Sequence, residues 1–168
     1  MTLSIAQLVK TTVRRNLTVL DTLLDKAAAF AAGRNFDAGV LLGSRLAPDM
    51  FPLTRQVQIA CDMGKFMAAR LAGQKAPVFE DVETTLPELK ERIAKTLAYV
   101  DSVDDAAFDG AEQREVRVPT RAEELVFQGR DYLVGFAVPN FYFHVTAVYL
   151  ILRHNGVELG KRDFIGGR

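Results

Sequence analysis

Few side chains in this sequence have the chemistry of a catalytic or metal-binding group. The 168 residues include two histidines, His144 and His154, and one cysteine, Cys61, which Asp62 follows. A neutral imidazole binds metal ions and titrates near neutral pH, so each histidine is a candidate ligand or general base. Two histidines exclude a three-histidine site within one chain, and any metal site must therefore add carboxylate, thiolate or amide ligands.

Four of these polar residues predict a small-molecule site between two helices. Gln58 and Asp62 are four residues apart, and therefore share one face of a predicted helix. Tyr142 and His144 lie in a second helical segment near the C-terminus. We expect the four to line a ligand pocket in which the Asp62 carboxylate orients the His144 imidazole. The structural alternative is a buried, hydrogen-bonded histidine and a solvent-facing aspartate.

A metal site is disfavoured, and its only candidates are His144, His154 and Asp62. His154 ends a predicted helix, where a cation interacts favourably with the helix dipole, so capping is its expected role. Cys61 falls on the apolar stripe of its helix, which predicts a buried and unreactive thiol. The sequence identifies no cofactor.

Composition and charge restrict the class of protein. The 21 Lys and Arg residues balance 21 Asp and Glu, which is not the charge distribution of a nucleic-acid-binding protein. Length and a 49% hydrophobic content predict one globular domain over residues 1–168. A lone cysteine excludes an internal disulfide, and the first 20 residues lack a signal-peptide pattern, so we predict a cytoplasmic protein.

Hydrophobic periodicity predicts four long helices. Their apolar residues recur at helical spacing over residues 4–32, 54–71, 86–100 and 139–154. Two of the helices begin with a capping pattern, in which a hydroxyl residue precedes a Glu or Gln by three positions. These pairs are Ser4 with Gln7 and Thr85 with Glu88.

The apolar period changes to two between the third and fourth long helices. Residues 115–118 and 124–128 alternate apolar and polar side chains, which predicts a β-hairpin whose contact with the helices is Phe127. A short helix over 130–138 is expected next. The predicted fold is therefore an all-α four-helix bundle with a small β-hairpin inserted between the third and fourth helices.

Three stretches resemble a known family. They are the run RLAPDMFPLTRQVQ at 45–58, NFYFHVT at 140–146, and LRHNGV at 152–157 with KRDF at 161–164. Together they resemble a bacterial and fungal domain of unknown function, family nineteen ninety-three, over essentially the whole chain. That family is similar to the DinB/YfiT-like helical bundles, many of which are thought to be metalloenzymes or thiol-dependent transferases. The resemblance implies the bundle fold and no established activity.

The chain departs from the three-histidine metal site that the resemblance implies for the wider superfamily. That site takes one histidine from the second long helix, which has none here, and two histidines four residues apart from the last helix. If His154 matches the second of these, Leu150 occupies the place of the first. If His144 is the surviving ligand, Asn140 occupies its partner's place. In both alignments the three-histidine site is incomplete.

Aromatic residues are concentrated near the C-terminus. Seven of them fall within the 23 residues from Phe127 to Tyr149. Successive helical residues point about 100° apart, so Phe141, Tyr142 and Phe143 cannot all pack against one neighbour. One side of this helix is therefore expected to face the hairpin or a second subunit. This predicts a homodimer, and the alternative function is a non-enzymatic, homodimeric stress or interaction module.

The uncharged segment 132–152 is long enough to span a bilayer. Pro139, Asn140 and His144 lie within it, and polar groups are costly at that depth in lipid. We therefore expect a buried helix of a soluble core and no membrane partner, with a membrane anchor as the weaker alternative.

Overall fold

Four long helices form the framework of the structure, a computed structural model that describes residues 3–120 and 122–167. They are α1 (Ile5–Gly33), α3 (Leu53–Leu71), α4 (Leu86–Ser102) and α6 (Val138–His154). Short helices complete the order: α2 (Gly39–Leu42), α5 (Gly129–Asp131), α7 (Lys161–Ile165) and a 3-10 turn at Asp105–Phe108. The predicted helical bundle is confirmed. Residues 1, 2, 121 and 168 of the predicted domain lie outside the described residues.

Both predicted capping boxes are present. The Ser4 hydroxyl accepts the backbone N–H of Gln7 at 3.1 Å, and the Gln7 side chain accepts the Ser4 N–H at 3.4 Å. Thr85 and Glu88 make the same reciprocal pair at 3.3 and 3.0 Å. Each box satisfies N–H groups that the first helical turn leaves without partners, so these starts are specified by local sequence.

The long helices pack as a ring in which α3 is the most connected element. Helix α3 contacts α6 and α4, and α1 contacts α4 and α6 on the other side. Helices α1 and α3 also contact each other across the ring, and this contact is possible because Gly64 has no side chain. A Cβ atom at Gly64 would stand 2.9 Å from Cγ1 of Val13. The missing side chain therefore sets how closely α1 approaches α3.

The predicted hairpin consists of β1 (Glu115–Pro119) and β2 (Glu124–Gln128), paired antiparallel with Val116 opposite Phe127. Val116 on β1 is buried, and β1 contacts α3. The Phe127 ring lies 6.1 Å from that of Tyr132 and 5.5 Å from that of Phe136. Phe127 is therefore a contact of the hairpin with the helices, as predicted.

The helix before α6 differs from the prediction. A short helix over 130–138 and a separate one from Pro139 were expected, but the helix is continuous over Gly129–His154. Residues Tyr132–Ala137 form a π-helical segment immediately before Pro139. Proline has no N–H to donate and clashes with the carbonyl four residues earlier. The wider π turn accommodates the proline, so Pro139 neither begins nor breaks the helix.

The continuous helix is long and apolar enough to cross a membrane, and 39% of that window is buried inside the protein. Core helices of soluble proteins meet the same test of length and composition. Here the fully buried residues of α6 pack against α1 and α3; they are Phe141, Val145, Val148, Ile151 and Leu152. The segment therefore contributes one apolar face to the core of the bundle.

Candidate functional site

A buried histidine links the two helices that contact each other most extensively. His144 on α6 is 8% exposed, and its Nδ1 lies 2.7 Å from Oε1 of Gln56 on α3. The amide nitrogen of Gln56 donates to the carbonyl of Phe51 at 3.2 Å. This short chain of hydrogen bonds ties α6 to α3 and to the segment 43–52 that precedes α3.

The amide of Gln56 determines which nitrogen of His144 carries the proton. Because the amide nitrogen of Gln56 faces the Phe51 carbonyl, its oxygen faces the imidazole. An amide oxygen only accepts hydrogen bonds, so Nδ1 of His144 must donate. In the neutral ring Nε2 then has a free lone pair, and the site supplies a hydrogen-bond acceptor.

The imidazole of His144 stays neutral well below physiological pH. Burial, together with the smaller effect of the nearby charge of Arg55, lowers its pKa from 6.5 to about 4. A group with this pKa is a weak base at pH 7 and carries no charge there. His144 is therefore suited to accept a hydrogen bond from a ligand, and poorly suited to remove a proton.

The structure does not bring Gln58 and Asp62 to His144, so the predicted four-residue pocket is not assembled. The side chain that orients the imidazole is Gln56, and the expectation that Asp62 does so is wrong. Gln58 and Asp62 instead face α4, where both join a buried group of charges around Arg92. Residues 56 and 58 are about 200° apart around a helix, which places them on opposite faces.

Arg92 lies at the centre of this charge cluster and is 1% exposed. Its guanidinium contacts carboxylate oxygens of Asp62 at 3.0 Å, Asp81 at 2.9 Å and Glu83 at 3.0 Å. It also donates to the backbone carbonyl of Glu80 at 2.9 Å. Burial would lower its pKa, but the hydrogen bond that Arg92 donates to Glu83 and the charge of Asp62 outweigh burial and raise it. Arg92 therefore fixes the loop 72–85 against α3 and α4.

Further cations complete the cluster. Lys65 is 2% exposed, pairs with Asp62 at 2.9 Å, and lies 4.5 Å from the centre of the Phe79 ring. Arg55 pairs with Asp81 and donates to the Gln58 oxygen. With their charges matched, these carboxylates are structural and are not available to bind a cation.

Tyr142 lies on the opposite side of α6 from the charge cluster and lines an open groove. Its hydroxyl accepts a hydrogen bond from the amide of Asn16 at 3.2 Å. The groove has a volume of about 380 Å³ between α6 and the segment 43–52. We call it the α6 groove; it is lined by Leu46, Met50, Pro139, Tyr142, Phe143, Thr146, Ala147 and Leu150.

The α6 groove and the His144 hydrogen bonds are adjacent. The Phe143 ring, which lines the groove, meets the imidazole edge-on with centroids 5.2 Å apart. Met50 lies on the opposite wall of the groove. The next residue, Phe51, has the backbone carbonyl that accepts a hydrogen bond from the Gln56 amide. Of the four predicted residues, Tyr142 thus lines the groove, and His144 lies behind its Phe143 wall.

The residues present do not fit the metal site that the resemblance implied. Among residues 3–120 and 122–167, no group of three or more His, Cys, Asp or Glu side chains is arranged to hold a metal ion. His154 is exposed in the last turn of α6. Cys61 is fully buried, and burial raises the pKa of its thiol to about 12. The charge of Arg55, which lowers the pKa of His144, also opposes a cation there.

Sequence reasoning missed Gln56 and Arg92. Both occupy core positions of amphipathic helices: Gln56 follows Leu53 by three residues, and Arg92 follows Leu89 by three. A polar residue at a core position must find a buried partner, and this was the available signal. The acidic residues of the loop 72–85 gave a second signal for Arg92.

Residues 6–165 match a family described as a domain of unknown function (DUF1993). The chain belongs to the DUF1993 family. Its fold is also that of a crystal structure of a DinB family member protein from Shewanella denitrificans. That protein is 44% identical, with a TM-score of 0.86 over 99% of this chain and 91% of the other. No curated protein is significantly similar to the chain.

These similarities confirm the family and the DinB-like bundle expected from the sequence. DUF1993 is defined without a function, so the family match assigns no reaction. In this DUF1993 protein the amide of Gln56 and the imidazole of His144 form a hydrogen bond between α3 and α6. The chemistry of the site must therefore be argued from Gln56, His144 and the groove beside them.

Replacing the central guanidinium tests whether the charge cluster holds the fold. In Arg92→Met, three carboxylates lose their buried cation, and we expect the free energy of unfolding to fall by about 3–5 kcal/mol. Urea denaturation followed by far-UV circular dichroism measures the change. The matched control is Arg117→Met, which breaks exposed pairs with Glu115 and Glu124 and should change stability far less, because water screens exposed ion pairs. Equal losses in the two variants would contradict a structural role for the cluster.

The low pKa of His144 predicts a pH-dependent stability. Between pH 4 and 6.5 the unfolded chain binds a proton at this residue and the folded chain does not, so stability falls as pH falls through this window. We expect His144 to contribute a loss of about 2 kcal/mol in unfolding free energy between pH 7.5 and pH 5. Urea denaturation at the two pH values measures it.

The second histidine supplies the control for this experiment. His144→Gln should remove that part of the pH dependence, because glutamine keeps a hydrogen-bonding group and does not titrate. His154→Gln should retain it. The assignment is wrong if His144→Gln loses as much stability as the wild type between the two pH values.

Proposed function

We propose that this protein binds an apolar small molecule in the α6 groove. The observation that supports it is the groove itself, an apolar cavity of about 380 Å³ whose Phe143 wall packs against the imidazole of His144. Ligand sites typically have volumes of about 300–1,000 Å³, with mostly apolar walls and few polar groups. Its lining residues carry no formal charge, which favours an uncharged body for the ligand.

The groove is held in shape by the structure around it. Gln56 fixes the segment 43–52 on one side through the Phe51 carbonyl. The amide of Asn16, which also donates to the Thr12 carbonyl at 2.8 Å, holds the Tyr142 hydroxyl on the other side. A preformed site loses less conformational entropy when a ligand binds. These contacts support a binding site that exists before the ligand arrives.

The chemistry of the chain favours binding over catalysis. The His144 imidazole is a weak base, the Cys61 thiol is buried and protonated, and the Asp62 carboxylate is paired with two cations. None of these groups is an activated nucleophile or a general base near neutral pH. We therefore propose a binding protein in which Tyr142 and His144 are ligand-side residues, while Gln58 and Asp62 maintain the fold.

We also propose that the protein acts in the cytoplasm, without a nucleic-acid or membrane partner. Equal numbers of cationic and anionic side chains give the chain no net positive charge to attract phosphates. Its one cysteine is a free, buried thiol, as is usual for proteins in reducing compartments.

Binding of a simple apolar probe tests the proposed site. Titration of 1-octanol into the 15N-labelled protein should give saturable NMR shifts confined to the groove residues. Leu150→Arg should weaken this binding at least about tenfold, because a guanidinium replaces apolar surface that the probe would cover. The control, Val134→Arg, changes an exposed apolar residue of the same continuous helix outside the groove, and should bind normally. Shifts elsewhere, or no effect of Leu150→Arg, would contradict the proposal.

A homodimeric interaction module is the second candidate function. The specific observation is that Phe51, Phe143 and Leu150 are 55%, 57% and 43% exposed, and the last two lie on one face of α6. An apolar face without charge can pair with a copy of itself across a two-fold axis. Aromatic residues of this kind are enriched at the centres of such interfaces.

Light scattering coupled to size-exclusion chromatography tests the homodimer. At micromolar concentration the wild type should have about twice the 18.6 kDa mass of one chain. Phe143→Arg should shift it to the monomer, because two guanidinium groups would meet near the axis, whereas Val134→Arg should remain dimeric. A monomeric wild type would exclude this interface and leave the α6 groove open to a small molecule.

A further inference from the structure

A second cavity adjoins the α6 groove and extends it along the helix. It has a volume of about 200 Å³ and shares Thr146 and Leu150 with the groove. Its other walls are Tyr149 on α6 and two residues of α7, Phe164 and Lys161. From Pro139 to Leu150 the helix rises roughly 16 Å, so the joined cavities form an elongated apolar surface.

The two ends of this surface differ in charge. The end near Pro139 is entirely uncharged, whereas the other end carries the ammonium group of Lys161. Within the described residues, Lys10, Lys26 and Lys90 each pair with a carboxylate, but Lys161 has none within 4.0 Å. An exposed cation at the end of an apolar surface attracts an anionic group.

Helix α7 is held in a fixed position against α1 and α6. Asp163 pairs with Lys26 of α1 at 2.7 Å. The Phe164 ring packs edge-on against Tyr149 of α6, with centroids 5.5 Å apart. The backbone that carries Lys161 is therefore anchored at two points next to the cavity, and the position of the charge is defined.

From this arrangement we propose that the ligand is a linear amphiphile with a carboxylate head, such as a medium-chain fatty acid. Its alkyl chain lies along the α6 groove towards Pro139, and its carboxylate pairs with Lys161. A single cation matches a singly charged head better than a phosphate monoester. This inference rests on the proposed function, because it names the ligand class of the same groove.

Two probes that differ only in the head group test the inference. Octanoate and 1-octanol are titrated separately into the 15N-labelled protein at pH 7.5 and low salt. Octanoate should bind roughly two- to five-fold more tightly, which is the range of an exposed ion pair. Lys161→Gln should abolish that preference without weakening octanol. The control, Lys95→Gln, removes an exposed lysine elsewhere and should preserve the preference.

The outcomes separate this inference from the proposed function. If octanol and octanoate bind equally, or the preference survives Lys161→Gln, the carboxylate inference is overturned and the groove remains a site for apolar ligands. If neither probe binds, the proposed function itself fails. Nuclear Overhauser effects give an independent test of orientation. The terminal methyl group should contact Pro139 and Phe143, and the protons next to the carboxylate should contact Tyr149 and Phe164; the reverse orientation would overturn the inference.

Discussion

The guanidinium of Arg92 is buried among three carboxylates, and the connection between α3 and α4 depends on it. A buried charge without partners is very costly, so the loop 72–85 must deliver Asp81 and Glu83 to it. The aliphatic and ammonium groups of Lys65 then pack under Phe79 of the same loop. The polar side chains of α3 that face α4 therefore stabilise the fold. The polar side chain on the opposite face of α3, Gln56, is not part of this cluster.

Helix α3 therefore has two polar contacts with separate roles. Gln58 and Asp62 satisfy the charge cluster, while Gln56 reaches across the opposite face to His144. Positions two apart on a helix point in nearly opposite directions, so one helix serves both partners without competition between them. Burial and the charge of Arg55 keep the imidazole neutral, and Gln56 keeps its proton on Nδ1. The result is an oriented acceptor beside an apolar groove.

Local sequence was sufficient to predict those parts of the fold that local physics determines. The capping boxes at Ser4 and Thr85, the β-hairpin and the apolar stripes all depend on residues close in the chain. The arrangement of the site was not predictable from the sequence. Periodicity placed Tyr142 and His144 on α6, but it could not identify Gln56 as the partner of His144, because the rotation of α3 about its axis is set by α1, α4 and α6 together. The π turn before Pro139 likewise arises from the packing of Tyr132 and Phe136 with the hairpin as well as from the proline.

The contact between α3 and α6 also shows how a DinB-like bundle can hold a polar group without a metal-binding triad. A metal-bound imidazole must present a lone pair to the ion and tolerate its charge. Here Gln56 still orients the ring through Nδ1, as an outer partner of a metal ligand does, but Arg55 places a positive charge nearby. The positive charge of Arg55 disfavours a cation at this position. It does not disfavour a neutral hydrogen-bond donor or an apolar chain. The same bundle geometry that positions one imidazole at the helix interface thus favours an uncharged ligand body, and leaves charge recognition to the end of the groove.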